Sequence, residues 1–143
     1  MLKLIIGVKG TGKTKTLIGM VNESVDTSKG AVICIEKGDK LRYDVKHQAR
    51  LIDANEYFVD DAQSLFGFVA GIFASNHDVT DLFIDSALKI CQNDMAAFDK
   101  FLDEMNALVE KLNINVDYNQ YDVFDESFSY LAPAKEGGAI IVK

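Results

Sequence analysis

The segment Gly7–Thr14, GVKGTGKT, constrains this chain more than any other part of its sequence. It matches the pattern G-x-x-x-x-G-K-[ST] at every fixed position, and it lies between the apolar run LKLII and an amphipathic run that begins at Lys13. Glycines let the backbone curl until successive N–H groups point at phosphate oxygens, and the amino end of a helix adds a favourable dipole. The segment therefore predicts a phosphate-binding loop between a strand and a helix.

The side chains of this loop predict separate roles within a nucleotide site. We expect Lys13 to reach the β- and γ-phosphates and to act in catalysis, and the hydroxyl of Thr14 to ligate Mg²⁺. The residues expected to bind the nucleotide are Gly7, Gly10, Thr11, Gly12, Lys13, Thr14 and Lys15. The loop alone does not distinguish an ATPase from a GTPase, a kinase or an inert binder.

Apolar runs and helical stripes alternate along the chain. The runs that predict strands are Leu2–Ile6, Ala31–Glu36, Arg50–Asp53, Leu82–Asp85, Ile114–Tyr118 and Ala139–Lys143. Helical periodicity predicts helices from Lys13 to about Glu23, after Asp60, and along the apolar stripe from Met95 to Leu112. Asp60, with Gln63 three residues later, resembles a capping box. The pattern predicts an α/β fold of three layers, with a mostly parallel sheet of five or six strands and helices on both faces.

The size and charge of the chain limit what it can be. Its 143 residues are expected to form one domain, residues 1–143, and its net charge of −7 disfavours nucleic acid and anionic membranes. No apolar run approaches the roughly 18 residues of a membrane span. The cysteines Cys34 and Cys91 are expected to be reduced thiols in a cytoplasmic protein, and two histidines offer no zinc spacing.

Polar side chains at the strand ends are the other candidates for chemistry, because open α/β sheets bind ligands beyond the carboxyl ends of their strands. LFID ends in Asp85, the Walker B pattern, whose carboxylate is expected to hold the Mg²⁺ shell. AVICIE ends in Glu36, which faces the γ-phosphate and polarises the attacking water if its strand neighbours LKLII. INVDYNQ ends in Asn119 and Gln120, whose amides are expected to contact the γ-phosphate or orient water.

The order GVKGTGKT, AVICIE, LFIDSA, INVDYNQ resembles the RecA-type ATPase core, a branch of the P-loop NTPases. The resemblance covers roughly the first 120 residues and implies the P-loop NTPase fold with Mg²⁺ and ATP as ligands. By this resemblance Glu36 is the catalytic base, Asp85 the magnesium aspartate and Gln120 the sensor of the γ-phosphate. A RecA-like protein also implies a homo-oligomer or another protein partner.

The chain departs from the RecA-type recombinases after the sensor strand, where those proteins carry a DNA-binding loop. Residues 112–133 contain four acids and no Lys or Arg, the acids being Asp117, Asp122, Asp125 and Glu126. Such a segment repels a phosphate backbone, so DNA binding and recombinase activity are not expected.

Positive charge is concentrated in the segment KGDKLRYDVKHQAR, residues 37–50, here called the basic segment. It carries a formal charge of +3, against −10 for the remainder, and contains both arginines, Arg42 and Arg50. Three interpretations remain open: a solvated hairpin, an arginine finger for a neighbouring subunit, or a docking site for an anionic partner.

Four functions compete at this stage. The first is an ATPase whose hydrolysis drives a conformational or partner-binding change. A small-molecule kinase is disfavoured by the scarcity of arginines for a phosphate lid. A GTPase is disfavoured because Asn119–Asp122 departs from N-K-x-D and Asp85–Leu88 lacks the glycine of D-x-x-G. A nucleotide-dependent switch or binding module without catalysis is the fourth.

Overall fold

The computed structural model describes residues 2–5, 12–112 and 139–142, and these form helices packed around a parallel sheet. The strands are β1 Leu2–Ile5, β2 Ala31–Glu36, β3 Arg50–Asp53, β4 Val79–Ile84 and β5 Ala139–Val142. The α-helices are α1 Lys13–Thr27, α2 Ala62–Ser75, α3 Ala87–Ile90 and α4 Met95–Leu112, and two 3-10 helices span Lys40–Tyr43 and Ala54–Tyr57.

The centre of the sheet is built from β2, which pairs in parallel with β3 on one side and with β4 on the other. On the far side of β4, β5 and then β1 continue the sheet, so that the order is β1-β5-β4-β2-β3 and every pairing is parallel. The predicted α/β fold with a parallel sheet is confirmed. All five strands therefore end at one edge, the carboxyl edge, where ligands bind in sheets of this kind.

Most of the predicted elements form where the sequence patterns placed them. The runs at Ala31–Glu36 and Arg50–Asp53 are strands over their whole predicted length, and Met95–Leu112 is a helix throughout. The fourth strand begins earlier than expected and ends at Ile84, which leaves Asp85 as the first residue beyond it. The predicted strand Ile114–Tyr118 lies outside the described residues, as does Ile6.

The two faces of the sheet are covered by different elements, because alternate residues of a strand point to opposite sides. On β2, Val32 and Cys34 pack with α1 and with buried residues of the basic segment. Its neighbours Ile33 and Ile35 pack on the other face, in the larger cluster that holds the apolar sides of α2 and α4. These clusters form two cores, one on each face of the sheet.

A bulge at the start of β4 displaces its register against β2. Ala31 lies opposite Val79 and Val32 lies opposite Asp81, which leaves Thr80 without a partner on β2. The Thr80 hydroxyl donates to the buried Asp81 carboxylate at 2.7 Å and accepts in turn from the Ser28 hydroxyl. This chain of hydroxyls joins the end of α1 to the start of β4 and satisfies a carboxylate inside the fold.

The start of α2 differs from the prediction by one residue. The N-cap is Asp61, not Asp60, and its carboxylate accepts from the backbone N–H of Ser64 at 2.7 Å. Ser64 completes the capping box by accepting the Asp61 N–H, and Gln63 takes no part in it. The sequence DDAQS offers two consecutive aspartates, each with an acceptor side chain three residues later, and the pair Asp61–Ser64 forms the cap.

Both cysteines are free thiols within the described cores, Cys34 below α1 and Cys91 after α3. Burial raises the pKa of the Cys34 thiol far above its ordinary value, with the charges of Asp85 and Glu36 adding to the effect. Burial raises the pKa of Cys91 to about 11. Neither thiol is a nucleophile at neutral pH. None of the helices described is long and apolar enough to cross a membrane.

Candidate functional site

The candidate site is centred on a contact between the start of α1 and the end of β4. The hydroxyl Oγ1 of Thr14 donates to Oδ1 of Asp85 over 3.4 Å, joining residues that are 71 positions apart. Thr14 lies in the first turn of α1, and Asp85 is held beyond β4 by its own N–H, which donates to the Ile35 carbonyl at 2.8 Å. The two side chains assigned to Mg²⁺ from the sequence are thus brought together.

Asp85 is half-buried, and this burial has the largest effect on the pKa of its carboxyl. Desolvation raises the pKa of its carboxyl, whereas hydrogen bonds from Ser86 and Thr14 and the charge of Lys89 act in the opposite direction. Ser86 donates to Oδ2 at 3.3 Å and lies in the left-handed region at φ 58°. A partly desolvated carboxylate of this kind is stabilised by a nearby cation, and a Mg²⁺ ion would serve as one.

The amino end of α1 begins at a glycine with left-handed backbone geometry. Gly12 is the N-cap at φ 85°, a conformation in which any other residue is strained, and its carbonyl accepts from the Thr16 N–H at 3.0 Å. Lys13 is half-buried and Lys15 is exposed. Of the other loop residues predicted to bind nucleotide, Gly7, Gly10 and Thr11 lie outside the described residues, as does the predicted sensor Gln120.

Glu36 also lies at the carboxyl edge, but its strand does not neighbour β1. The sequence predicts that Glu36 faces the γ-phosphate if β2 and β1 are adjacent. In the structure β4 and β5 lie between these two strands, so the condition is not met. Strand order depends on contacts between distant parts of the chain, which strand patterns alone do not specify. Glu36 is instead one strand beyond Asp85, because Ile35 and Ile84 are register partners and each precedes an acid.

The Glu36 carboxylate is buried, with 2% of the residue exposed, and it already has a partner. Its Oε2 atom accepts from the Leu41 backbone N–H at 3.0 Å, which holds the 3-10 helix Lys40–Tyr43 against the end of β2. Burial raises the pKa of Glu36, the hydrogen bonds from Leu41 and Lys40 oppose this, and the charges of Asp85 and Asp53 add to the rise. A raised pKa makes Glu36 a better proton acceptor once it is ionised.

Asp53 is a member of the site that the sequence analysis did not single out. It ends β3 in register with Glu36, and its Oδ1 accepts from the N–H groups of Gly38 at 2.8 Å and Asn55 at 2.9 Å. The neighbouring strands β3 and β2 thus end at Asp53 and Glu36, and Asp85 directly follows β4. The sequence contained the pattern that could have identified Asp53, because the runs RLID, AVICIE and LFID all end in an acidic residue.

The donor set at Thr14 and Asp85 suits Mg²⁺, which prefers hard oxygen ligands. Within residues 2–5, 12–112 and 139–142, no group of three or more His, Cys, Asp or Glu residues is arranged to hold a metal ion. A Mg²⁺ ion bound by the Thr14 hydroxyl would leave most of its ligand positions to oxygens from outside the protein.

The basic segment is attached to the same elements that carry this site. Asn22 of α1 donates to the Asp44 carbonyl at 2.9 Å and accepts from the Lys46 N–H at 2.8 Å. Asp26 of α1 pairs with the Lys46 ammonium at 2.7 Å. Glu36 and Asp53 bond Leu41 and Gly38, so the segment is held at its start and in its middle.

Comparison with known proteins leaves the chain without a family assignment by similarity. No protein-family model matches its sequence, and searches of curated proteins and of solved structures found no match.

Proposed function

We propose that this chain is a Mg-ATP-binding P-loop protein with a RecA-like ATPase core, and that it hydrolyses ATP to drive a conformational or partner-binding change. The observation that carries the proposal is the Thr14–Asp85 hydrogen bond at the carboxyl edge of a parallel sheet. The loop motif predicts a magnesium-binding hydroxyl at Thr14, and the pattern of β4 independently predicts a magnesium-binding carboxylate at Asp85. Their contact across 71 positions is expected of one magnesium site.

The proposed roles follow from the chemistry of each side chain. The backbone N–H groups at the start of α1 and the Lys13 ammonium bind the phosphates, and Thr14 ligates the ion while Asp85 accepts hydrogen bonds from its water shell. Bound Mg²⁺ neutralises charge on the phosphate oxygens. Glu36 takes the proton of the attacking water, which requires its carboxylate to turn from Leu41 toward the phosphate. The preference for ATP rests on the RecA resemblance and on the poor guanine motif.

The test is phosphate release from Mg-ATP by the wild type, Lys13→Ala, Asp85→Asn and Glu36→Gln, with binding of a fluorescent ATP analogue followed in parallel. We expect Lys13→Ala to lose binding, and Asp85→Asn to need more Mg²⁺. Glu36→Gln is expected to keep binding while turnover falls by roughly a hundredfold or more, the usual contribution of a general base. Turnover of Glu36→Gln at the wild-type rate would contradict the catalytic role of Glu36.

A second candidate function, a nucleotide-dependent switch without catalysis, is favoured by the Leu41 hydrogen bond. A buried carboxylate that caps a 3-10 helix already has a structural reason to be present. In this case the wild type binds Mg-ATP and releases no phosphate. Competition by GTP, and transfer of radiolabelled γ-phosphate to a small acceptor, distinguish the GTPase and the kinase in the same assay.

A further inference from the structure

The helix α2 presents a side to solvent that carries no charge. None of its 14 residues, AQSLFGFVAGIFAS, is Asp, Glu, Lys or Arg, although 26% of the chain is charged. Its inner side, with Leu65, Val69 and Phe73, packs in the core that it shares with α4. A surface helix ordinarily places charged residues opposite its core face, so the outer side of α2 has the composition of a contact surface. The exposed residues on that outer side are Gln63, Gly67, Gly71, Ala74 and Ser75.

Two exposed aromatic residues lie next to this helix, in the connection from β3. Tyr57 is 49% exposed and stacks on Phe68 of α2 with the ring centroids 5.7 Å apart, which joins the connection to the helix surface. Phe58, the next residue, is 86% exposed. Gly71 follows Phe68 by three positions, so the two are neighbours on the helix. Tyr57, Phe58, Phe68 and the outer side of α2 are together called the α2 surface, and exposed apolar surface of this kind marks interaction sites.

Phe58 occupies a backbone conformation that another residue would adopt more easily. It ends the 3-10 helix Ala54–Tyr57 at φ 58° and ψ 31°, in the left-handed region that glycine and asparagine favour and bulky side chains rarely adopt. The chain around it is held in place, because Val59 is buried and Gln92 donates to the Asp60 carbonyl at 2.8 Å. Strained backbone that gains no burial within the chain suits a residue that contacts something outside it.

The charge around the α2 surface indicates what can bind to it. Glu56, Asp60 and Asp61 are exposed beside the two aromatic residues, and none of them forms an ion pair within the described part of the chain. The sequence has no Lys or Arg between Arg50 and Lys89, so neither end of α2 supplies a cation. Two copies joined through this surface would bring acids near acids, and an anionic membrane would be repelled. The charge therefore favours an occupant that carries positive charge together with an apolar face.

We propose that the α2 surface docks an amphipathic, basic helix of a partner protein. The apolar face of that helix lies along α2 and covers Tyr57 and Phe58, while its Lys or Arg residues meet Glu56 and Asp60. Within the described part of the chain nothing lies within 4 Å of a Cβ added at Gly71, so another backbone can approach α2 closely there. The proposal does not depend on whether the chain binds or hydrolyses ATP.

The test uses the full chain and a fluorescein-labelled peptide of about 18 residues, in which leucines at helical spacing form one face and lysines occupy the rest. A second peptide has the same composition in an order that spreads the leucines around the helix. Binding is followed by fluorescence anisotropy at physiological salt, and circular dichroism with thermal unfolding establishes that each variant is folded.

Two pairs of variants separate the α2 surface from the rest of the molecule. Phe58→Asn is matched by Tyr43→Asn, because Tyr43 is 83% exposed in the basic segment and asparagine suits the left-handed backbone at Phe58. Gly71→Gln is matched by Gly19→Gln, because Gly19 is exposed on α1, which packs on the opposite face of the sheet. None of these changes alters the net charge.

We expect Phe58→Asn to weaken binding of the amphipathic peptide roughly tenfold, as the loss of an aromatic anchor does, while its melting temperature stays equal or rises because the backbone strain is relieved. Gly71→Gln is expected to weaken binding by a similar factor, because the added side chain holds the two helices apart. Tyr43→Asn and Gly19→Gln should each change the affinity less than roughly twofold.

Undetectable binding of the amphipathic peptide, equally tight binding of the reordered peptide, or equal losses in a variant and its matched control would overturn the proposal. A wild-type dimer that Gly71→Gln dissociates would also overturn it, because the occupant would then be a second copy. Binding to phospholipid vesicles that is lost in Phe58→Asn would overturn it in favour of a membrane.

Discussion

The Glu36 side chain is buried beside other acids and also serves as a hydrogen-bond acceptor. Its carboxylate is buried between Asp53 and Asp85 at the end of β2, and it stabilises the next segment by accepting the Leu41 N–H. A buried carboxylate near two other acids is costly to ionise, and natural proteins tolerate such groups most often where function needs them. The effect of this buried carboxylate on the free energy of unfolding can be measured without knowing the ligand of the protein.

Replacing Glu36 with glutamine is expected to stabilise the fold at neutral pH by about 1 kcal/mol. Because its pKa is raised in the folded protein, the folded state binds this proton more tightly than the unfolded chain, and ionisation at higher pH costs stability. The cost is relieved as pH falls through the raised pKa, so the difference between Glu36→Gln and the wild type should narrow toward acidic pH. Urea unfolding at several pH values measures this.

The matched control for this prediction is Glu23→Gln, an exposed carboxylate on α1. It should leave stability within about 0.5 kcal/mol of the wild type at each pH. A loss of stability in Glu36→Gln at neutral pH would mean that the charged carboxylate strengthens the Leu41 hydrogen bond by more than its burial costs.

Gly30 is a position where the fold leaves no room for a side chain. A Cβ there would overlap the carbonyl oxygen of Asp78 and the methyl group of Thr80, both at the bulged start of β4. We expect Gly30→Ala to cost about 1–3 kcal/mol, as overpacking against backbone does. Gly67→Ala, on an exposed turn of α2 with nothing within 4 Å of the new Cβ, should instead stabilise by about 0.5–1 kcal/mol. Thermal unfolding of the two variants provides the comparison, and equal stabilities would contradict the steric argument.

Among the elements, the basic segment has an unusual task, because it connects two parallel strands without an α-helix. Its buried residues Leu41, Val45 and Ala49 cover the same sheet face as α1. Its polar backbone groups are satisfied by Asn22, whose amide bonds both the Asp44 carbonyl and the Lys46 N–H. A side-chain amide thus replaces part of the hydrogen bonding that a crossover helix would supply for itself.

We expect Asn22→Ala to loosen this segment before it affects the rest of the molecule. Two hydrogen bonds are lost at the surface, at a net cost of about 1–2 kcal/mol, and the segment should open locally more often. Trypsin then cleaves faster after Arg42 and Lys46, which mass spectrometry of the fragments detects. Glu23→Ala, on the neighbouring position of α1, should leave the cleavage pattern unchanged. Equal cleavage of both variants would show that the apolar residues alone hold the segment.

At the scale of the whole molecule, the carboxyl edge links the candidate site to the basic segment. Asp85 contacts Thr14 on one side and lies beside Glu36 on the other, while Glu36 and Asp53 hold the backbone of the basic segment. A change in the hydrogen-bond partner of Glu36 would therefore act on the basic segment through Leu41. Coupling through such a contiguous network requires an element with two arrangements, and the proposed function predicts that the Leu41 hydrogen bond is that element.

Hydrogen exchange tests this coupling directly. In the presence of Mg²⁺ and a non-hydrolysable ATP analogue, we expect Glu36 to turn toward the phosphate and the Leu41 amide to exchange roughly fivefold faster, as for loss of a hydrogen bond worth about 1 kcal/mol. Lys13→Ala should show no such change because it does not bind the analogue. Unchanged exchange at Leu41 in the wild type, with the analogue bound, would assign Glu36 a purely structural role.

Local patterns in the sequence were sufficient to predict the elements. Apolar runs, helical periodicity and one glycine motif act between neighbours in the chain, and the runs and the periodicity predicted β2, β3 and α4 over their whole length. The same patterns predicted that Thr14 and Asp85 share a site, because parallel strands and their following loops meet at one edge. The N-cap of α2 lies one residue later than predicted, because two consecutive aspartates could each serve as the cap.

The order of the strands and the partners of the acids were decided only by the tertiary structure. The separation of β2 from β1 and the hydrogen bond of Glu36 to Leu41 arise when segments far apart in sequence pack together. The pairing of α1 with the basic segment through Asn22 arises in the same way. No local period encodes such contacts, because their free energy comes from burying apolar faces and satisfying polar groups across the whole fold. The sequence by itself determined most of the candidates for chemistry, and the packing of the sheet decided which of them meet.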